Sequence, residues 1–409
     1  MAINKWQPTE TTAAQVDTFT PVNVGIGNVF TLTMTGYDGT VETVSYTAAA
    51  ATVADVTAGL ETAWNTSSET LIGTLTAADG TTELTLTADT AGVAFKVLGT
   101  ATGGTADITE VNTTENAGPN SWDDPTNWSE GTIPGATAAE DTFVENSNVD
   151  ILYGLDQSGA SNVLNTLHIT KTYTGKIGWN GSGSLIGDYL QLKTAKAFIG
   201  EFFDPGTASG SGRIKLDFGA TACDVIVYDL ANPVDSNKQA FRMLANNAAT
   251  DVKEIRSGSV GIAAGTGETS TIGDVLVSYE TSRGTDAVLV VGAGVTMADL
   301  NCIGGQTSLK CAATNVTSKG GTLVISGTGT IGTLEVDGGA VKPVSGGTIT
   351  TCKVKSGSAD FTASAEARTV TTMELTSGTL QFDREVVTIT NETRPESGAG
   401  RVQWRSSKI

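Results

Sequence analysis

The side chains able to do chemistry are few, and their spacing argues against most reactions. Cleaving a glycoside by acid–base catalysis needs two carboxyl groups about 5–9.5 Å apart across the bond. Asp123, Asp124, Asp204, Asp217 and Asp383 are the acids that stand near aromatic or loop sequence. None of them forms a column of paired acids in the repeat described below, and aromatic residues suited to stacking on sugars are sparse. His168, in "TLHIT", is the single histidine, which argues against a multi-histidine metal site and a Ser-His-Asp triad. It stands between Leu167 and Ile169, at an outward place, and is expected to be an exposed strand residue. Cys223, Cys302, Cys311 and Cys352 include no CxxC pair, so a zinc site is not expected. The Gly-rich stretches "GIGN" (25–28) and "GSGSLIG" (181–187) lack the Lys and Ser/Thr of a phosphate loop and read as turns. The expectation is a protein without catalytic residues, cofactor or metal.

The elements that would position these groups come from a repeat. Gly305, Gly321, Gly339, Gly357 and Gly378 follow one another at spacings of 16, 18, 18 and 21 residues. A period near 20 marks stacked structural repeats. Aligned on Thr330, Thr348 and Thr369, three copies place apolar residues in step: Ile331, Ile349, Val370; Leu334, Cys352, Met373; Val336, Val354, Leu375; then, past the glycine, Val341, Ala359, Leu380 and Pro343, Phe361, Phe382. Apolar residues two apart are the strand period, and the glycine suits a corner with positive φ. The alignment reaches back to Thr296 with Met297, Leu300, Cys302 and Leu309, and fades into "TIGDVLVSY" and "NVLNTLHIT". One copy cannot bury its apolar face alone, so the copies must stack at about 4.8 Å per coil. The prediction is a parallel β-solenoid over residues 161–390, of roughly a dozen coils and on the order of 55 Å long. Outward positions alternate in sign, Glu335, Lys353, Glu374, as a stacked column tolerates. Cys302 and Cys352 fall on inward places and read as small core residues.

Composition agrees with many short strands and turns. The 409 residues hold 49 Gly and only 6% aromatics. With 44 acidic against 24 basic residues, the net charge of −20 argues against nucleic-acid binding, which needs a basic face. "MAINKWQPTE" lacks the apolar stretch of an export signal and no run approaches a membrane span. Reduced cysteines fit assembly in a cytoplasm.

Other regions read differently. Residues 1–20 look like an extended polar arm. Over 21–115, "NVFTLTMTGYDGTVETVSYTA" predicts a hairpin about the Asp38–Gly39 turn. "TVADVTAGLETAW" predicts a helix with Val53, Val56, Leu60 and Trp64 on one face and Thr52 as N-cap. With strands in "TTELTLTAD" and "VAFKVLG", this predicts a small ββαββ domain, a helix over one antiparallel sheet. Residues 116–160, rich in Trp, Pro and Gly, form a connector that cannot continue a regular strand; Trp122 and Trp128 are expected to cover the open end of the solenoid. Residues 391–409, with Trp404, are expected to cap the other end. "FFDPGTASGSG" and "DLANPVDSNKQAFRML" read as loops ejected from coils.

The stretch "GNVFTLTMTGYDGTVETVSYTAAAATVADVTAGLETAWN" resembles a small domain of tailed-phage virion proteins, and "PNSWDDPTNWSEGTIP" with "GSGRIKLDFG" resembles the part that follows it in such proteins. The resemblance is strongest over 25–65 and 118–218, with little family pattern after about residue 218. It implies a capsid-associated structural protein, a decoration or head fibre located in the virion and assembled in the host cytoplasm. The partner would be the major capsid protein or another virion protein, contacted through the N-terminal region, with self-association, as a trimer, and no nucleic acid or membrane. The resemblance carries no catalytic residues. The alternative is a tail spike or fibre that binds, or less readily cleaves, host surface polysaccharide.

Overall fold

The structure, a computed structural model, describes residues 2–36, 40–178, 189–201, 214–228, 230, 239–278, 287–393 and 400–404. The Asp38–Gly39 turn, the 181–187 stretch, Asp204 and most of both expected ejected loops lie outside these residues.

Successive strands of the larger part pair in parallel, as a solenoid requires. One column runs from Thr166–Thr170 through Lys196–Glu201, Asp224–Val227 and Asp251–Ile255 to Val275–Val277. A second runs from Leu190–Gln191 through Ile214–Asp217, Phe241–Leu244, Gly258–Ile262, Ala287–Val291 and Gln306–Leu309 to Thr322–Ile325. Further along, the long strands Ile331–Pro343 and Ile349–Asp360 bend through the corner and serve both columns. The aligned residues meet as the repeat predicts: Ile331 with Ile349 and then Val370, Leu334 with Cys352 and then Met373, Val336 with Val354 and then Leu375. These side chains are buried in one continuous core. Outside, Glu335, Lys353 and Glu374 pair in register. Lys353 Nζ stands 3.8 Å from Glu374, while Glu335 takes its closer cation, at 2.8 Å, from Lys355 two places along.

The corner glycines all adopt left-handed backbone, from φ +67° at Gly321, Gly339 and Gly357 to +71° at Gly305 and +79° at Gly378. A Cβ on Gly339 would stand 2.6 Å from the Gly321 carbonyl oxygen. Positive φ and the coil beneath thus exclude a side chain together. Gly339→Ala is expected to destabilise by about 1–2 kcal/mol from the backbone alone, with the clash added, read as a lower urea midpoint at unchanged m-value.

The smaller part is α+β with a single helix, Val53–Asn65, capped by the Thr52 hydroxyl, which accepts from the Asp55 N–H, and buried along Val56, Thr57, Leu60 and Trp64. The ββαββ expectation is corrected here. The strands form two sheets: Val29–Thr35 between Val41–Thr47 and Val97–Thr102, and a four-stranded sheet in which Val16–Val22 lies between Leu84–Ala88 and Asp107–Thr114. Leu75–Asp79 completes the second sheet, antiparallel to Leu84–Ala88. Val16–Val22 reads as arm in the sequence because Pro21 and the hydroxyl residues hide its one bulky core side chain, Phe19.

The chain start also departs from expectation. Residues 1–20 are extended, but their hydrogen bonds are made within the protein. Ile3–Lys5 pairs in parallel with Asp141–Val144, which in turn pairs with Thr166–Thr170. The parallel stack therefore includes a strand of the chain start and one of the connector, beyond the 161–390 range. The outer edge of Ile3–Lys5 is covered: Lys5 N–H donates to Ser129 Oγ (2.9 Å), Ser129 N–H to the Lys5 carbonyl (2.9 Å), and Asn4 Nδ2 to the Thr132 carbonyl (2.8 Å). Covering an edge removes the unpaired row that would otherwise recruit another strand. Trp6, Trp122 and Trp128 close the core at this end, with ring centroids 5.1 and 4.6 Å from Trp128 and Trp128 Nε1 donating to the Trp122 carbonyl. At the other end, Val387–Thr393 and the backbone of Gly400–Trp404 add to the two columns, so the described part of the segment expected to cap continues the stack.

Candidate functional site

His168 is outward, as its place between Leu167 and Ile169 predicts, but it is not exposed. Phe143, His168 and Phe198 occupy one position in three successive strands, and their rings stack at 4.3 and 4.7 Å. The imidazole Nδ1 contacts Glu201 and Nε2 lies 3.0 Å from Thr166 Oγ1. Both nitrogens are occupied and both faces covered, so His168 joins coils. The sequence spacing of Phe143, 25 residues before His168, is too irregular to show this ladder.

The other candidate acids do not converge. Burial pushes the carboxyl groups of Asp123 and Asp124 up, with Glu115 adding repulsion to both. They lie in the capping connector. Asp383 closes a turn, accepting from the Glu385 N–H. Asp217 stands apart from these, on the rod, with its carboxyl raised by burial and one oxygen accepting the Gly219 N–H at 2.9 Å. Among the described residues no group of three His, Cys, Asp or Glu is placed to hold a metal ion, and no helix is long and apolar enough to cross a membrane.

Asp217 does line a groove of ≈ 670 Å³, with Tyr189, Asn246, Glu268, Thr271 and Thr296 among its other walls. Asp217, Thr271 and Thr296 lie in strands, and Tyr189, Asn246 and Glu268 in the segments beside strands, so the groove crosses successive coils. Its floor is a polar network. Glu268 Oε1 accepts from Tyr189 Oη (2.8 Å) and Arg242 Nη2 (2.7 Å), and Oε2 accepts from Gly265 N–H (2.7 Å). Lys215 Nζ and the Arg242 guanidinium lie 5.4 and 5.9 Å from the Tyr189 ring centroid. Glu268 Oε1 thus ties its coil to those of Tyr189 and Arg242, Oε2 bonds within its own turn, and two cations lie near the phenol ring. The arrangement suits recognition of hydroxyl-bearing ligands by Asp217, Asn246 and the threonines better than proton transfer. Sequence reading singled out Asp217 alone. Tyr189, Arg242 and Glu268 are 79 and 26 residues apart along the chain, and only the alternation around Arg242, outward between buried Phe241 and Met243, hints at a role.

No protein-family model matches the chain, and no match was found among curated proteins or solved structures.

The four cysteines are free and buried. Burial pushes the thiol of Cys302 up to about 11 and those of Cys311 and Cys352 to about 12, with Cys223 raised further still. The thiolate is the reactive form. Native protein is therefore expected to titrate fewer than about one thiol per chain with a disulfide reagent near neutral pH, and all four after denaturation. Fast reaction of a single native thiol would put that cysteine outside the core.

Proposed function

We propose that this chain is a non-enzymatic structural protein of a tailed-phage virion, associated with the capsid as a decoration or head fibre. The solenoid would project and the N-terminal α+β region would attach to the major capsid protein or another virion protein, with the chain self-associating, as a trimer. One observation carries the structural part of this reading. The groups most able to do chemistry are committed to joining coils: His168 in its aromatic ladder, and Glu268 with all its bonds inside the rod. A rod so bonded suits display and spacing. The virion assignment rests on the sequence resemblance over 25–65 and 118–218. Attachment by the first residues as a free strand is disfavoured, because Ile3–Lys5 is already paired on one edge and covered on the other.

The groove beside Asp217 favours a second reading, a tail spike or fibre that holds host surface polysaccharide. Immunogold labelling of purified particles separates the two. Label over the head supports the first, label confined to the tail tip supports the second, and unlabelled particles with the protein left in the lysate overturn both.

A further inference from the structure

The groove beside Asp217 has a regular wall. Asn246 pairs in parallel with Thr271, and Thr271 with Thr296. Three polar side chains therefore stand one above another in successive coils, about 4.8 Å apart. A fourth coil adds Asp217, joined to this ladder where the Asn246 N–H donates to the Gly219 carbonyl (2.6 Å). One Asp217 oxygen accepts the Gly219 N–H. Its other oxygen, the Asn246 amide and the Thr271 and Thr296 hydroxyls make no side-chain hydrogen bond among the described residues. Glu268 differs: it is 8% exposed and held by three bonds, so the floor is fixed before any ligand arrives. At ≈ 670 Å³ the groove lies within the range of small-ligand sites, about 300–1,000 Å³, where a few convergent polar groups fix orientation.

Free hydrogen-bonding groups at coil spacing match a ligand of the same period. An extended glycan of equatorially linked pyranose units advances by about one coil spacing per sugar and offers hydroxyls at every unit. Charge narrows the class. Among the described residues the walls include the carboxylates of Asp217 and Glu268 and no Lys or Arg, on a chain of net charge −20. A uronate polymer would be repelled. Tyr189 is only 3% exposed, with Lys215 and Arg242 beside its ring, so its face is closed to sugar stacking and hydrogen bonds must supply the affinity.

We propose that the groove binds an uncharged, extended glycan of the β1→4-linked hexopyranose type, lying parallel to the rod axis with one sugar unit against each of the four coils. This rests on the second reading above and names the class of polysaccharide it would hold.

The test is calorimetric titration of the full chain with β1→4-linked manno- and cello-oligosaccharides of two to six units, and with oligogalacturonates of the same lengths. Affinity for the neutral series is expected to rise up to four units and then level off, with the oligogalacturonates bound more weakly. Thr271→Val with Thr296→Val keeps side-chain shape and strand preference and should weaken tetrasaccharide binding about tenfold. Thr330→Val with Thr348→Val, outside the groove, should leave it unchanged. If the groove double variant is unstable, Asn246→Ala is read instead, with a smaller loss expected. No binding of either neutral series, a preference for the acidic one, or undiminished binding in the groove variants would overturn the proposal. The two readings fail separately. Label at the tail tip with no glycan bound removes this inference alone, and glycan bound by a protein labelled over the head removes the spike reading alone.

Discussion

Val336→Asp is expected to yield no soluble folded protein. Val336 is fully buried in the column Ser318–Val336–Val354–Leu375, with a coil above and a coil below. A carboxylate there would stand among apolar side chains, away from bulk solvent. It either ionises at a cost of several kcal/mol or takes up a proton and loses its packing. Neighbouring coils are held in place by the ladder pairs on either side of Val336, Glu335 with Lys353 and Thr317, and Leu334 with Cys352 and Val316. Glu335→Gln, one residue earlier, faces solvent and loses only the partly exposed pair with Lys355, an effect below about 1 kcal/mol. The comparison is made by soluble yield and urea midpoint. Equal midpoints for the two variants would mean that the register is shifted by one residue, since a one-residue slip exchanges inside for outside.

The contrast between these neighbours was legible in the sequence because it depends on local period. Ile331, Leu334 and Val336 return as Ile349, Cys352 and Val354 after one coil, and the corner glycines mark where each coil turns. Where a coil is irregular, the period is lost. His168 and its two phenylalanines are stacked neighbours, yet Phe143 and Phe198 lie 25 and 30 residues away from it. The groove has the same cause: Glu268 meets Tyr189 across coils of unequal length, so no fixed spacing connects them. The chain start is the extreme case. Nothing in "AINKW" says that Ile3 will pair with Asp141, since that contact depends on the whole α+β region lying between the two in sequence and bringing the chain back. A short polar segment with a proline downstream reads as a free arm under any local rule.

Trp6→Ala tests that return directly. The Trp6 indole is 3% exposed and packs edge-on against Trp128 at an interplanar angle of 66°. Replacing such a side chain costs about 3–5 kcal/mol. In a solenoid each coil contacts only its neighbours, so the loss is concentrated at the end where it occurs. Hydrogen exchange is expected to quicken at Ile3–Lys5 and Asp141–Val144, whose backbone bonds the lid holds in place. Exchange in Ile349–Asp360, at the other end of the stack, should be unchanged. Deleting residues 2–20 should do more, because it also removes most of Val16–Val22, an inner strand of its four-stranded sheet. That variant is expected to lose the α+β region while the distal coils stay β-rich. Attachment to a partner must therefore be probed by surface substitutions, since a truncation confounds lost binding with lost structure. Native-like protection at Asp141–Val144 in Trp6→Ala would show that the first coil is held without its tryptophan lid, and the N-terminal residues would again be available to a partner.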